Sequence, residues 1–219
     1  MMTLLHIDTS ARRTRSHTRH LTKRFVDGWR ARRPGDRVIV RDVGTEPPPP
    51  ITEDWVAAAF TRPEQRSAAM NQALAVSDGL IEELECADAI VVGVPMYNFG
   101  VPAPFKAYID NIVRIGRTFG FDRARTGDLY WPMLRSRPVV ILGARGDYGY
   151  EAGQRSAQVN HVEPYLRDVL GFVGLTEITS IAVEYDEFRD ARFTDSLRRA
   201  EAAVDELVLR LTEDAARVA

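Results

Sequence analysis

The sequence has almost no cysteine and no long hydrophobic run, and these two absences exclude whole classes of protein. Cys86 is the single cysteine among 219 residues, so neither an intrachain disulfide nor a cysteine-based metal site can form. No apolar run approaches the about 18 residues of a membrane-spanning helix. The apolar part of the N-terminal segment is too short for a signal peptide. We therefore expect a protein of a reducing compartment, the cytoplasm, with no membrane partner.

Motifs for several common kinds of site are also missing. The chain has neither the G-x-G-x-x-G dinucleotide fingerprint nor the G-x-x-x-x-G-K-[ST] phosphate loop. Its four histidines, His6, His17, His20 and His161, lack the spacing of metal ligands. We therefore expect no metal, and any phosphate site must use other donors.

Charge is nearly balanced over the whole chain but not along it. The net charge is −2, whereas residues 1–50 hold ten Arg and one Lys against four Asp and one Glu, a net charge of +6. A basic block attracts nucleic acid, an anionic membrane or a small anion. Because dedicated nucleic-acid binders are usually strongly basic overall, we expect no nucleic-acid partner. A small anion is the simplest partner for Arg12, Arg13, Arg15 and Arg19.

Strand-like and helix-like segments alternate along the chain. A hydrophobic content of 45% excludes disorder, and the length allows one domain or two small ones. Short apolar segments predict strands at residues 4–7, 37–43, 89–94, 138–142 and 177–184. Helical periodicity predicts helices from near 16 to 33, at 63–84, 105–115 and 161–172, and around 197–211; residues 118–134 are predicted to be irregular and aromatic-rich.

Strict β-α alternation predicts a doubly wound α/β sandwich with a parallel sheet. Five strands fit the flavodoxin-like order 2-1-3-4-5, in one domain over residues 1–219. In such sheets a ligand binds beyond the carboxyl ends of the strands, where strands 1 and 3 diverge. This fold prediction selects three loops as candidate binding segments: loop 1 (residues 8–18), loop 2 (residues 95–99) and loop 3 (residues 143–149).

Loop 1 carries three hydroxyl groups directly before a predicted helix. They belong to Ser10, Ser16 and Thr18. Free N–H groups and the positive end of the helix dipole make such a terminus an anion site, and hydroxyls add neutral donors. The alternative is ordinary helix capping by one Ser or Thr, which accounts for only one of the three. Loop 1 therefore predicts a phosphate site.

Loops 2 and 3 have less specific signals. In loop 2, the amide of Asn98 can donate and accept hydrogen bonds at once, as a planar heterocycle requires. The alternative for loop 2 is a turn with two aromatic residues in a minor core. In loop 3, glycine allows the backbone to approach a ligand closely, and the alternative is a flexible loop.

At these three loops the chain resembles the FMN-dependent azoreductases, also called FMN-dependent NADH:quinone oxidoreductases, of the flavodoxin-like superfamily. The most specific match is Pro95-Met96-Tyr97-Asn98-Phe99, which reproduces the family's P-M-Y-N-F stretch. The family's S-x5-S-Q-S loop corresponds to Ser10, Ser16, His17 and Thr18, and its S-R-G-G segment to residues 144–147. The resemblance covers nearly the whole chain.

The resemblance implies roles for individual residues. The loop 1 residues would hold the phosphate of FMN, and residues 95–99 and 144–147 would line its ring. Phe121 would lie over the substrate pocket, to which we also assign Tyr148. The implied cofactor site comprises Ser10, Ser16, His17, Thr18, Pro95, Met96, Tyr97, Asn98, Phe99, Ala144, Arg145, Gly146 and Asp147.

The resemblance also implies an activity and an assembly. FMN would be tightly bound and NADH or NADPH would be the co-substrate. A quinone or an azo compound would accept two electrons in a ping-pong reaction that needs no catalytic side chain. The family is homodimeric, with each flavin near the partner subunit. Two alternatives stay open: a flavodoxin-like electron carrier, and a cofactor-free interaction protein of the same fold.

The chain departs from the family pattern at four positions: His17 replaces Gln, Thr18 replaces Ser, Ala144 replaces Ser and Asp147 replaces Gly. The Asp147 change is the largest, because a carboxylate near the ring is expected to lower the reduction potential of the flavin.

Overall fold

The computed structural model of the chain describes residues 1–218, with side chains as far as residue 215. Within these residues there are seven β-strands and six α-helices. The strands are β1 Thr3–Asp8, β2 Arg37–Asp42, β3 Ala89–Pro95, β4 Phe119–Phe121, β5 Tyr130–Pro132, β6 Val139–Ala144 and β7 Ile178–Val183. The helices are α1 His17–Arg32, α2 Glu53–Phe60, α3 Ala68–Cys86, α4 Ala103–Ile112, α5 Glu163–Val173 and α6 Ala191–Val218.

Five of the strands form one parallel sheet in the order β2-β1-β3-β6-β7. Strands β4 and β5 lie outside this sheet. When only the five strands of the sheet are numbered, the order is 2-1-3-4-5, and the predicted topology is confirmed. The carboxyl ends of β1, β3, β6 and β7 therefore share one edge, where loops 1, 2 and 3 begin.

Both faces of the sheet are buried, which explains the continuous apolar strands. Along β1, Leu5 and Ile7 join a core that includes residues of α3, α4 and α5, whereas Leu4 joins Phe25 and Trp29 of α1 on the other face. Burial of β3 is complete from Ala89 to Pro95. None of the helices in the described part of the chain has the length and apolar character needed to cross a membrane.

Three predicted helix boundaries are wrong by a few residues. The predicted helix 63–84 is a short 3-10 turn at Pro63–Gln65 followed by α3, because Arg66 is extended and the Ser67 hydroxyl caps α3 by accepting from the Met70 N–H. The predicted helix 105–115 is α4, which starts directly after Pro102 and ends at Ile112. The predicted helix 161–172 is α5, which runs from Glu163 to Val173. Helix α2 was not predicted.

The prediction that residues 118–134 are irregular is also wrong in part. Strands β4 and β5 form an antiparallel pair that joins Phe119 to Pro132 and Phe121 to Tyr130. Three-residue strands leave no periodic signal in a sequence. Gly120 is required here, because a Cβ atom at this position would lie 2.0 Å from Cε2 of Trp131.

Candidate functional site

Loop 1 is anchored at its start by Arg19 of α1. The Arg19 guanidinium donates to both carboxylate oxygens of Asp42 at 2.7 Å, to Asp8 at 3.3 Å and to the Ser10 carbonyl at 2.8 Å. The hydrogen bond with Asp42 is the main reason that the pKa of Arg19 is raised. Arg19 is therefore committed to two carboxylates, and the expectation that it serves an external anion is wrong.

Glycines allow other segments to pack closely against the start of loop 1. The Gly44 N–H donates to the Asp8 carbonyl at 3.1 Å, and a Cβ atom on Gly44 would lie 2.4 Å from the Ser10 carbonyl oxygen. At Gly93 of β3, a Cβ atom would lie 2.9 Å from Thr22 of α1. Backbone and core contacts thus fix where loop 1 runs.

The hydroxyls of loop 1 lie around the N-terminus of α1. Ser16 is its N-cap: its Oγ accepts from the Arg19 N–H at 3.3 Å and lies 3.0 Å from Thr18 Oγ1. Ser10 Oγ accepts from the Arg12 N–H at 3.2 Å. Thr18 is completely buried, so its hydroxyl acts through Ser16 rather than facing the site. Helix α1 has no acidic residue in its first turn.

Loop 2 forms a tight turn with two residues in the left-handed region. Tyr97 and Gly100 exchange backbone hydrogen bonds of 3.0 Å, while Asn98 has φ 49° and Phe99 has φ 67°. Positive φ at both central positions is typical of a type I′ turn and suits Asn, but it costs Phe about 1 kcal/mol. The Phe99 carbonyl accepts from the His161 N–H at 3.0 Å, which holds the turn in place.

Loop 3 begins with a buried arginine between two acids. Arg145 forms ion pairs with Glu163 of α5 and with Glu184, the latter at 2.9 Å. Burial lowers the pKa of Arg145, but the two carboxylates raise it by more. The net pKa therefore lies above the ordinary value. Two positions on, Asp147 accepts from Arg155 at 2.6 Å. The negative charge of Asp147 is thus partly offset by Arg155, which follows loop 3 in the chain.

The three loops converge on one cavity of about 140 Å³. Nine of the predicted cofactor residues line it: Ser10, Ser16, His17, Pro95, Met96, Tyr97, Ala144, Arg145 and Gly146. Thr18, Asn98, Phe99 and Asp147 are adjacent in the chain but do not line it. The two residues assigned to a substrate pocket lie apart from it, with Phe121 against Tyr130 at 4.8 Å and Tyr148 stacked on Tyr185 at 4.6 Å.

Sequence reasoning missed one segment of this cavity, the loop that follows β7. This segment, loop 4 (residues 184–190), contributes Asp186 and Glu187 to the lining, beside Arg12. The Asp186 carboxylate accepts from Arg12 at 3.2 Å and lies 3.0 Å from Nε2 of His17. The predicted topology could have identified loop 4, because β7 ends at the same edge of the sheet as β1.

A five-stranded parallel sheet of order 2-1-3-4-5, with loops that meet at the carboxyl ends of its central strands, defines a flavodoxin-like protein. The chain belongs to the family described as having a flavodoxin-like fold, which matches residues 2–207.

Named relatives and solved structures make this assignment more specific. The FMN-dependent NADH:quinone oxidoreductase 2 of Colwellia psychrerythraea is 41% identical over 218 residues, which cover 96% of this chain and 100% of the relative. The FMN-dependent NAD(P)H:quinone oxidoreductase 1 of Pseudomonas aeruginosa is 43% identical, covering 92% of this chain and 95% of the relative. The fold is similar to that of an FMN-dependent NADH-azoreductase from Bacillus anthracis in complex with FMN, with a TM-score of 0.84, 19% identity, and coverage of 97% of this chain and 100% of that one.

Proposed function

We propose that the chain is an FMN-dependent oxidoreductase that transfers electrons from NADH or NADPH to quinones or azo compounds. The observation that carries this proposal is the convergence of loops 1, 2 and 3 on one cavity beside the N-terminus of α1. The names of the relatives, which share more than 40% of their residues with this chain over nearly their full length, support the same activity.

The donors around loop 1 fit the phosphate of FMN. The hydroxyls of Ser10 and Ser16 and the free N–H groups of the first turn of α1 are neutral donors. Arg12 adds a cationic donor, and His17 adds a ring nitrogen that can donate, both in the lining of the same cavity. A phosphate monoester has only acceptor oxygens, so this donor-rich set suits it.

The polar edge of the flavin ring fits loops 2 and 3. Met96 and Ala144 are joined by a backbone hydrogen bond of 2.9 Å, which aligns the two loops side by side. Residues 95–99 and 144–147 offer backbone groups and the Asn98 amide to a planar heterocycle. Asp147 would lie beside it, with Arg155 offsetting part of its effect on the reduction potential.

When bound, FMN supplies a hydride acceptor that can return two electrons to a second substrate. The chain's own residues therefore bind and orient, and none is required as a nucleophile or base. Phe121 and Tyr148 would flank the approach of the second substrate. Both sit in aromatic groups, Phe121 with Tyr130 and Tyr148 with Tyr185, which suit flat aromatic acceptors.

The proposal includes an assembly and a location. Residues 1–219 would act as one domain, in a cytoplasmic homodimer with each active site near the partner subunit. Exposed aromatic side chains are available for an interface: Phe99 of loop 2 and Tyr130 of β5 are each 50% exposed. Sedimentation of the purified protein would give the mass of two chains, and the mass of one chain would contradict the dimer.

The activity is tested with purified protein reconstituted with FMN. We expect NADH consumption on addition of 1,4-benzoquinone, and bleaching of an azo dye such as methyl red in the presence of NADH. Both should be lost when FMN is removed and return when it is added back. A reconstituted protein that oxidises NADH with neither acceptor would contradict the proposed function.

A further inference from the structure

The positive end of α1 is matched by a carboxylate from a distant part of the chain. The helix has no acid in its own first turn, although negative charge there is stabilising. Asp186 of loop 4 supplies it: one oxygen lies 3.0 Å from His17, the first residue of α1, and the other accepts from Arg12 at 3.2 Å. Arg12 and His17, the two side chains proposed above as additional phosphate donors, are thus already in contact with a carboxylate.

Loop 4 is held over the cavity from the side of loop 3. The Tyr185 N–H donates to the Asp147 carbonyl at 3.3 Å, and the Glu187 N–H donates to the Gly146 carbonyl at 3.1 Å. The side chain of Glu187 covers Gly146, where a Cβ atom would lie 2.4 Å from Glu187 Oε1. Loop 4 therefore presents two carboxylates, Asp186 and Glu187, to the same cavity that the loop 1 donors Ser10, Arg12, Ser16 and His17 line.

Two further arginines near the cavity are already committed to other carboxylates. Arg19 is occupied by Asp8 and Asp42, and Arg145 by Glu163 and Glu184. A phosphate that enters the cavity must displace the Asp186 carboxylate from its partners or bind beside it against like-charge repulsion. Either event reduces the free energy gained from the phosphate, and neither affects a flavin that has no phosphate.

We propose that Asp186 is a specificity-determining residue: its carboxylate competes with the phosphate of FMN for Arg12 and His17 and limits the preference of the site for FMN over riboflavin. This inference rests on the proposed function, because it takes the ligand to be a flavin. Removing the charge of Asp186 then increases the affinity for FMN and leaves the affinity for riboflavin unchanged.

The test compares FMN-free wild-type protein with Asp186→Asn, which keeps the size of the side chain, and with Asp186→Ala. Asp190→Asn is the matched control, because Asp190 ends the same loop but pairs with Arg192 and does not line the cavity. Each protein is titrated with FMN and with riboflavin by flavin fluorescence. The shift of the unfolding temperature by inorganic phosphate is measured in parallel.

We expect both Asp186 variants to bind FMN about tenfold more tightly than wild type, as for the gain of one charge-assisted hydrogen bond. Riboflavin affinity and the Asp190→Asn control should not change, and phosphate should stabilise the variants more than wild type. Unchanged or weaker FMN binding, or an equal gain for riboflavin, would overturn the competition. If no protein binds either flavin, the proposed function fails, and the phosphate measurement alone decides whether Asp186 competes with phosphate.

Discussion

Loops 1 and 4 both line the cavity and touch through Asp186, but they are held in different ways. The start of loop 1 is fixed by partly buried contacts: Arg19 binds the ends of β1 and β2, and Gly44 packs its backbone against Ser10. Loop 4 is anchored at its first residue, where Glu184 pairs with buried Arg145. Beyond Glu184 it is held by backbone hydrogen bonds to loop 3 and by surface groups such as Arg192 over Phe188 at 4.4 Å, and it carries left-handed backbone at Tyr185 (φ 69°) and Arg189 (φ 52°).

This difference indicates which side of the site can change its position when a ligand binds. The start of loop 1 is preorganised, because moving it would break a network of partly buried hydrogen bonds and ion pairs. Beyond Glu184, loop 4 has left-handed backbone and more exposed partners, so a change in its position costs less free energy. The donor side of the cavity is therefore the rigid part, and the acidic side is the part that a ligand can displace.

Arg19→Met is expected to have the largest effect. It leaves Asp8 and Asp42 without their cation, and breaking such a pair costs about 3 kcal/mol of unfolding free energy. Urea denaturation measures this loss, and FMN affinity should fall with it. The control is Arg24→Met on the same helix, whose pair with Asp205 is exposed and is worth about 0.5 kcal/mol. Equal losses for the two variants would show that Arg19 holds loop 1 no more firmly than an exposed ion pair would.

Gly44→Ala tests the close approach of backbone to loop 1. Its Cβ atom would lie 2.4 Å from the Ser10 carbonyl oxygen, so we expect a loss of about 2 kcal/mol and weaker FMN binding. Gly79→Ala is the control: it lies within α3 with no atom near its Cβ position, and alanine there should stabilise by about 0.5 kcal/mol or more. Wild-type FMN affinity in Gly44→Ala would show that the path of loop 1 does not position the phosphate donors.

Ser16→Ala separates the phosphate donor from the helix cap. We expect FMN affinity to fall about tenfold and the loss of the cap to cost about 1 kcal/mol. Ser67→Ala removes the equivalent cap of α3, far from the cavity, so it should lose similar stability and keep full FMN affinity. Equal FMN affinities for the two variants, measured by fluorescence titration, would contradict the assignment of Ser16.

Asp42→Asn is expected to have the smallest effect, a change in how the unfolding free energy depends on pH under acidic conditions. Burial raises the pKa of Asp42, but the hydrogen bonds from Arg19 and Thr45 lower it to a net value below its ordinary one. Its contribution is therefore present above the pKa of an unfolded Asp, about 3.9, and is lost as the pH falls through the folded value. The gap in unfolding free energy between wild type and Asp42→Asn should shrink as the pH falls from about 6 to about 3. A gap independent of pH would exclude this linkage.

The two loops also differ in what the sequence alone could predict. Loop 1 has local signals, a strand end, three hydroxyls and a helix start, so its position and a cap by one of its hydroxyls could be predicted, and the structure assigns that cap to Ser16. The buried state of Thr18 and the partners of Arg19 depend on β2 and β3, which local patterns do not describe. The contact of Asp186 with His17 joins residues 169 apart in sequence, and a carboxylate facing anion donors has no sequence signature.

The central claim is that loop 1 binds the phosphate of FMN, and one comparison of affinities tests it most directly. FMN-free wild-type protein is titrated with FMN and with riboflavin, which differ only by that phosphate. The account predicts one FMN per chain, bound about a hundredfold more tightly than riboflavin, since several charge-assisted hydrogen bonds are formed with the phosphate and one carboxylate opposes them. Equal affinities for FMN and riboflavin would contradict it.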